Sequence, residues 1–161
     1  MNTKEIVIIL IISILTILLA GVVIASDLGN SGGADPERGI EIESIEFNIP
    51  AGYEKNDSKT VVNQSNSTGD YGFVYNQQTF ENSEGEEIVI SIVDYNDFDV
   101  DAQMLYKICE GTDEKTLMGY PGYINKQDNF TQFAYAYDKK AVSIAAPNED
   151  LINQILVVED A

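Results

Sequence analysis

At 161 residues with 44% hydrophobic content, the chain is long enough to build one cored domain and short for two. Twenty-seven acidic residues against nine basic ones give a net charge of -18, and Arg38 is the single arginine, so nucleic-acid binding and arginine-based phosphate recognition are excluded. Without histidine, a serine or cysteine nucleophile lacks its usual base and a metal site would need carboxylates alone; with Cys109 as the one cysteine, no intramolecular disulfide forms.

In chain order, residues 6–25 form an apolar run interrupted only by Ser13 and Thr16. As a helix rising ~1.5 Å per residue the run reaches ~30 Å, the hydrocarbon thickness of a bilayer. Lys4 precedes it, while Asp27, Asp35 and Glu37 follow. The positive-inside bias then predicts a single-pass signal-anchor with a cytoplasmic N-terminus and an extracytoplasmic C-terminal domain. Val23 and Ala25 also fit the -3 and -1 positions of a signal-peptidase site, and cleavage after Ala25 would make the protein secreted. The length of the run favours the uncleaved anchor. Residues 26–39 carry Gly29, Gly32, Gly33 and Pro36 and read as a flexible linker. The expected division is 1–25 anchor, 26–39 linker and 40–161 extracytoplasmic domain.

Within that domain, Ile45, Phe47 and Ile49 alternate with polar residues as a half-buried strand stopped by Pro50. Residues 55–70 are polar and read as an exposed loop or weak edge strand. A strand over 72–80 and a turn at Asn82, Ser83, Glu84 and Gly85 lead into 87–95, where apolar residues on both faces mark a central strand. Residues 99–110 carry Val100, Met104, Leu105 and Ile108 on one face of an amphipathic helix, with Asp97 or Asp99 as its cap, Gly111 at its end and Cys109 on its inner face. Strands follow over 115–124, 130–137 and 141–145, and Pro147 and Asn148 open a last helix with Leu151, Ile152, Ile155 and Leu156 buried. The expected fold is α+β: an N-terminal transmembrane helix, then a mainly antiparallel sheet of about six strands with two packed helices.

The stretch Met118-Gly119-Tyr120-Pro121-Gly122-Tyr123-Ile124, the strands over 133–137 and 142–144, the helix over 151–155 and the opening Phe47-Asn48-Ile49-Pro50-Ala51-Gly52-Tyr53 resemble small membrane-anchored domains of methanogenic archaea. Their rhythm is loosely similar to PsbP/Mog1-like α/β domains. The resemblance covers roughly residues 45–157 and implies a fold, with no catalytic residues attached to it.

Candidate sites follow from residue type. Tyr120, Tyr123, Tyr135 and Tyr137 could build an aromatic ligand patch for a sugar or peptide, although packing is the commoner fate of strand tyrosines. Asn56, Asn63, Asn66 and Asn129 each begin an Asn-X-Ser/Thr sequon and are candidate glycosylation sites. Asp97, Asp99 and Asp101 have the alternation of a calcium loop, but Ala102 and Ile108 stand where an EF-hand needs Gly and Glu, so a helix start is favoured. Glu84, Glu86 and Glu87 at a solvated turn are a poor carboxylate pair for hydrolysis. The expectation is a non-enzymatic binding or scaffolding domain at the cell envelope, held by its membrane helix, with an envelope protein or glycan as partner and no cofactor or metal. The rival is a carboxylate- or metal-dependent envelope enzyme.

Overall fold

The computed structural model describes residues 38–68, 71–108 and 113–158. Strands β1 (Arg38–Ile42) and β2 (Ile45–Ile49) form an antiparallel hairpin with Ile40 opposite Phe47. Its two-residue turn places Glu43 and Ser44 at φ 52° and 65°. Left-handed turns of this kind suit the twist of the flanking strands but ordinarily recruit Asn or Gly. Glu-Ser gives no such signal, which is why sequence reading misses β1.

A second, all-antiparallel sheet contains β3 (Glu54–Lys55), β4 (Val61–Thr68), β5 (Tyr71–Glu81), β6 (Glu87–Tyr95), β7 (Asp113–Leu117), β8 (Tyr120–Lys126), β9 (Thr131–Tyr137) and β10 (Lys140–Ala146). Its order is β3-β5-β6-β10-β9-β8-β7, with β4 also pairing β5. Helix α1 (Ala102–Ile108) lies between β6 and β7, and α2 (Glu149–Ile155) follows β10.

Among the described residues the α+β expectation is corrected to a mostly-β fold, 59% strand and 13% helix, in which two seven-residue helices serve as covers. Among the described residues ten strands stand where six were expected: β1 and the two-residue β3 are added, and the other two have local reasons. The polar stretch after Lys55 holds a one-turn 3-10 segment (Asp57–Lys59) and then strand β4, whose side chains at Val62, Asn63, Gln64, Ser65 and Ser67 are exposed. An outer strand of this kind needs no apolar face. The single strand expected over 115–124 is instead the hairpin β7–β8, reversed at Met118 and Gly119, φ 49° and 92°.

The expected helix over 99–110 is shorter at its start. Asp101, not Asp97 or Asp99, accepts the Met104 N–H at 2.7 Å, while Asp99 pairs with Lys139 at 3.2 Å. Cys109 and Gly111 lie outside the described residues. So does the run 6–25 that was read as a membrane span. Among the described residues no helix is long and apolar enough to cross a membrane. The transmembrane and signal-anchor assignment, with the single-pass, extracytoplasmic location built on it, is withdrawn.

Period-2 alternation sorts each strand of the large sheet into two faces. The inner face is set in cross-strand rows: Asn76, Ile92, Val142, Tyr135 and Gly122 form one, and Gln78, Ile90, Ile144, Phe133 and Ile124 the next. The β1–β2 hairpin contributes Ile42, Ile45, Phe47 and Ile49 to this core, and α2 adds Ile152 and Ile155. A backbone bridge between Phe47 and Leu156 joins hairpin to helix end. Gly122 is required here, because a Cβ would stand 2.3 Å from the Ala134 carbonyl and 2.9 Å from the Phe133 ring.

The outer face divides in two. At one end Phe73, Tyr75, Val93, Tyr95, Ala136 and Ala141 pack with Val100, Met104 and Leu105 as a second apolar cluster. The small side chains Ala136 and Ala141 leave room for α1 to lie close to the strands. Beyond that cluster the face changes chemistry.

Candidate functional site

Moving along the outer face away from α1, the row after Val93 and Ala141 pairs Gln77, Ser91, Ser143, Ala134 and Tyr123. The next pairs Thr79, Val89, Ala145, Gln132 and Asn125. Both lie among strands whose opposite face is apolar, so the change from Val and Ala to Ser and Gln is local to this end.

Val89, Ser91, Gln132, Ser143 and Ala145 of these rows floor a groove of about 660 Å³. Its walls are the β5–β6 turn at Gly85, Glu86 and Glu87, the β8–β9 loop at Gln127, Asp128, Asn129 and Phe130, and Pro147 before α2. The volume falls within the ~300–1,000 Å³ of small-molecule sites. The turn and the loop are each fixed by hydrogen bonds of their own. Asn82 accepts the Glu84 and Glu86 N–H groups at 3.0 and 2.9 Å, and the Asn82 N–H donates to the Glu86 carbonyl at 3.0 Å. The Gln127 N–H donates to the Phe130 carbonyl at 2.9 Å, closing the second loop.

Ser91, Ser143 and Gln132 are only 3%, 6% and 8% exposed, although they floor a groove. Gln132 Nε2 donates to Ser143 Oγ at 2.8 Å, which orients the amide along the floor. Tyr75, in the row covered by α1, donates its hydroxyl to Gln77 Oε1 at 2.7 Å, and burial raises its pKa. The charged side chains of the lining are Glu86, Glu87 and Asp128. Glu86 and Asp128 are exposed, whereas Glu87 is half-buried and held by Lys59. Glu86 also accepts from Asn82 Nδ2 at 2.8 Å and from the Tyr53 hydroxyl at 3.4 Å. Among the described residues no three of Asp, Glu, Cys and His gather as a metal-binding group.

The four tyrosines singled out from sequence do not share a surface. Tyr120, Tyr135 and Tyr137 lie on the inner face, with Tyr120 4.8 Å from the Tyr135 ring and 5.8 Å from that of Tyr137. Tyr135 is 2% exposed; burial, then the neighbouring Tyr120 and Tyr137, raises its pKa. The Tyr120 hydroxyl donates to the Val157 carbonyl at 2.7 Å, fastening the chain after α2 to β8. Tyr123 is buried on the outer face.

The sequon asparagines differ as well. Asn56 caps the 3-10 turn, accepting from the Ser58 N–H at 3.1 Å and donating to Glu81 at 3.0 Å. Asn63 and Asn66 lie on outer strand β4, where Asn63 is exposed and Asn66 pairs in register with Phe73. Asn129 is exposed on the groove wall, while Thr131 of the same sequon is buried in β9.

Sequence reasoning missed the groove. Its signal is small: Ser91 inside Ile-Val-Ile-Ser-Ile-Val and Ser143 inside Ala-Val-Ser-Ile-Ala, each a hydroxyl at mid-strand in an apolar run. Only the β6–β10 register sets the two side by side.

No family model matches the chain, and no curated protein or solved structure matches it.

Proposed function

We propose that this protein is a non-enzymatic binding domain, and that its ligand seats in the groove between the β5–β6 turn and the β8–β9 loop. One observation carries the reading: Ser91, Ser143 and Gln132, nearly fully buried, are cross-strand neighbours on the floor of a cavity of about 660 Å³. Gln132 and Ser143 hydrogen-bond each other, so the floor is polar and ordered. A sheet that needed only a cover would continue the apolar row of Val93 and Ala141, where α1 docks. Here the face turns polar and stays open.

The floor suits holding better than reacting. A serine nucleophile needs a base within hydrogen-bond reach, and the partner fixed on Ser143 is the amide of Gln132. The exposed carboxylates, Glu86 and Asp128, stand at the mouth and away from the serines of the floor. A rigid floor between two hydrogen-bonded turns is preorganised for a ligand, which reduces the ordering cost of binding.

The test is a protein-observed NMR screen of the full-length chain against a chemically diverse fragment library. Shift changes gathered at Ser91, Gln132, Ser143 and the loop 127–130 are expected. Hits spread over the surface, or gathered at Tyr120 and Tyr137, would refute a binding role for the groove.

A further inference from the structure

We infer that the ligand of the groove is a neutral saccharide, of about two sugar rings at most; the inference rests on the binding role proposed above. Ligand classes can be separated by what floor and mouth offer them. An anionic ligand meets Glu86, Glu87 and Asp128 with no lysine or arginine in the lining, on a chain of net charge -18.

A cationic ligand finds its carboxylates only at the mouth. Glu86 and Asp128 are exposed there, and Glu87 is already paired with Lys59. The buried floor holds Ser91, Ser143 and Gln132, none of which can compensate a charge removed from water. A cation would stay at the rim and leave the cavity unfilled. A wholly apolar ligand would strip water from the exposed wall amides of Gln127 and Asn129 without replacing their hydrogen bonds.

A polyol fits both halves of the lining. The serine hydroxyls and the glutamine amide, with Gln132 already donating to Ser143, can each donate and accept, as sugar hydroxyls do. Between them Val89 and Ala145, with Phe130 and Pro147 on the walls, present apolar surface for the C–H face of a pyranose ring. Phe130 is half-buried in a loop closed by its own carbonyl, so its ring is supplied from a fixed backbone. At the same wall Gln127 and Asn129 add exposed amides for outer hydroxyls. This alternation of hydroxyl or amide with small apolar patches is absent from the α1 end of the same face, which is apolar in both its rows.

The experiment is a titration of the full-length chain, followed by NMR, with cellobiose, maltose and N,N′-diacetylchitobiose, and with glucuronate and spermidine as charged counterparts. At least one neutral disaccharide should saturate the groove resonances, with neither charged probe doing so at tenfold higher concentration. Phe130→Ala and Ser143→Ala should each raise that Kd at least tenfold while leaving the dispersed spectrum of the fold in place. Gln127→Ala, on the exposed wall, guards against loss of folding and should raise it about threefold. If spermidine or library fragments shift the groove and no disaccharide does, the saccharide inference fails and the binding role stands. If nothing shifts the groove, both fail.

Discussion

Ile90 is fully buried at the middle of β6, between Gln78 of β5 and Ile144 of β10. Truncating it removes methylenes from a site that neighbouring strands prevent from collapsing, so Ile90→Ala should cost ~2–5 kcal/mol in urea denaturation. A loss of a few tenths would show that β6 is not central. Asn76 is a different kind of core residue, 4% exposed yet polar. Its Oδ1 accepts the Asn63 N–H at 2.7 Å and its Nδ2 donates to Glu43 at 2.8 Å, tying β4 and the β1–β2 turn to β5. Asn76→Ala strands these partners, and a loss of ~1–3 kcal/mol is expected, with faster amide exchange at Asn63. Ile90 was readable from alternation alone. Asn76 was not, because a polar residue in a strand looks solvent-facing until the docked hairpin supplies its partner.

The helices owe their places to contacts made at their ends. At α2, Asn148 Oδ1 accepts the Leu151 N–H at 3.0 Å, and Asn148→Ala should cost ~1 kcal/mol as the cap is lost. Pro147-Asn148 before an apolar periodic run is a strong start signal, and this helix was legible for that reason. Glu149 reaches Lys115 at 2.5 Å and Lys126 at 2.7 Å, linking α2 to β7 and β8. The hydrogen bonds from Lys115 and then Lys126 hold its carboxyl below the ordinary carboxylate range. A carboxylate with a depressed folded pKa adds stability above its unfolded pKa, and that contribution disappears as pH falls through the folded value. Wild type should therefore exceed Glu149→Gln in urea midpoint at pH 7, with the gap closing below about pH 4. The gap should also narrow in high salt, since Lys126 is 59% exposed and screened. A gap that persists in acid would remove the ion pairs from the explanation. Turn chemistry limited what could be read elsewhere: Asn82–Gly85 announces a hairpin, Glu43–Ser44 does not, and Met118–Gly119 was absorbed into a longer strand.

For the whole molecule, the large antiparallel sheet carries a hairpin and α2 on one face and α1 on half of the other. Apolar alternation in β6, β9 and β10 made the main core legible. The groove was hidden because its floor comes from three strands whose neighbours are decided by the β6–β10–β9 order, and no spacing along the chain encodes that order. Whether ligand sits on this floor is tested most directly by filling the floor. Ala145 is half-buried at the base of the groove, opposite Val89 and Gln132, so Ala145→Trp places an indole in the cavity and leaves the inner core unchanged. The decisive measurement is the NMR titration of wild type and Ala145→Trp with the same disaccharide, alongside thermal unfolding of both. Saturable shifts are expected in wild type, none in the filled variant, with similar unfolding midpoints. Equal binding by both proteins would contradict a ligand seated on this floor.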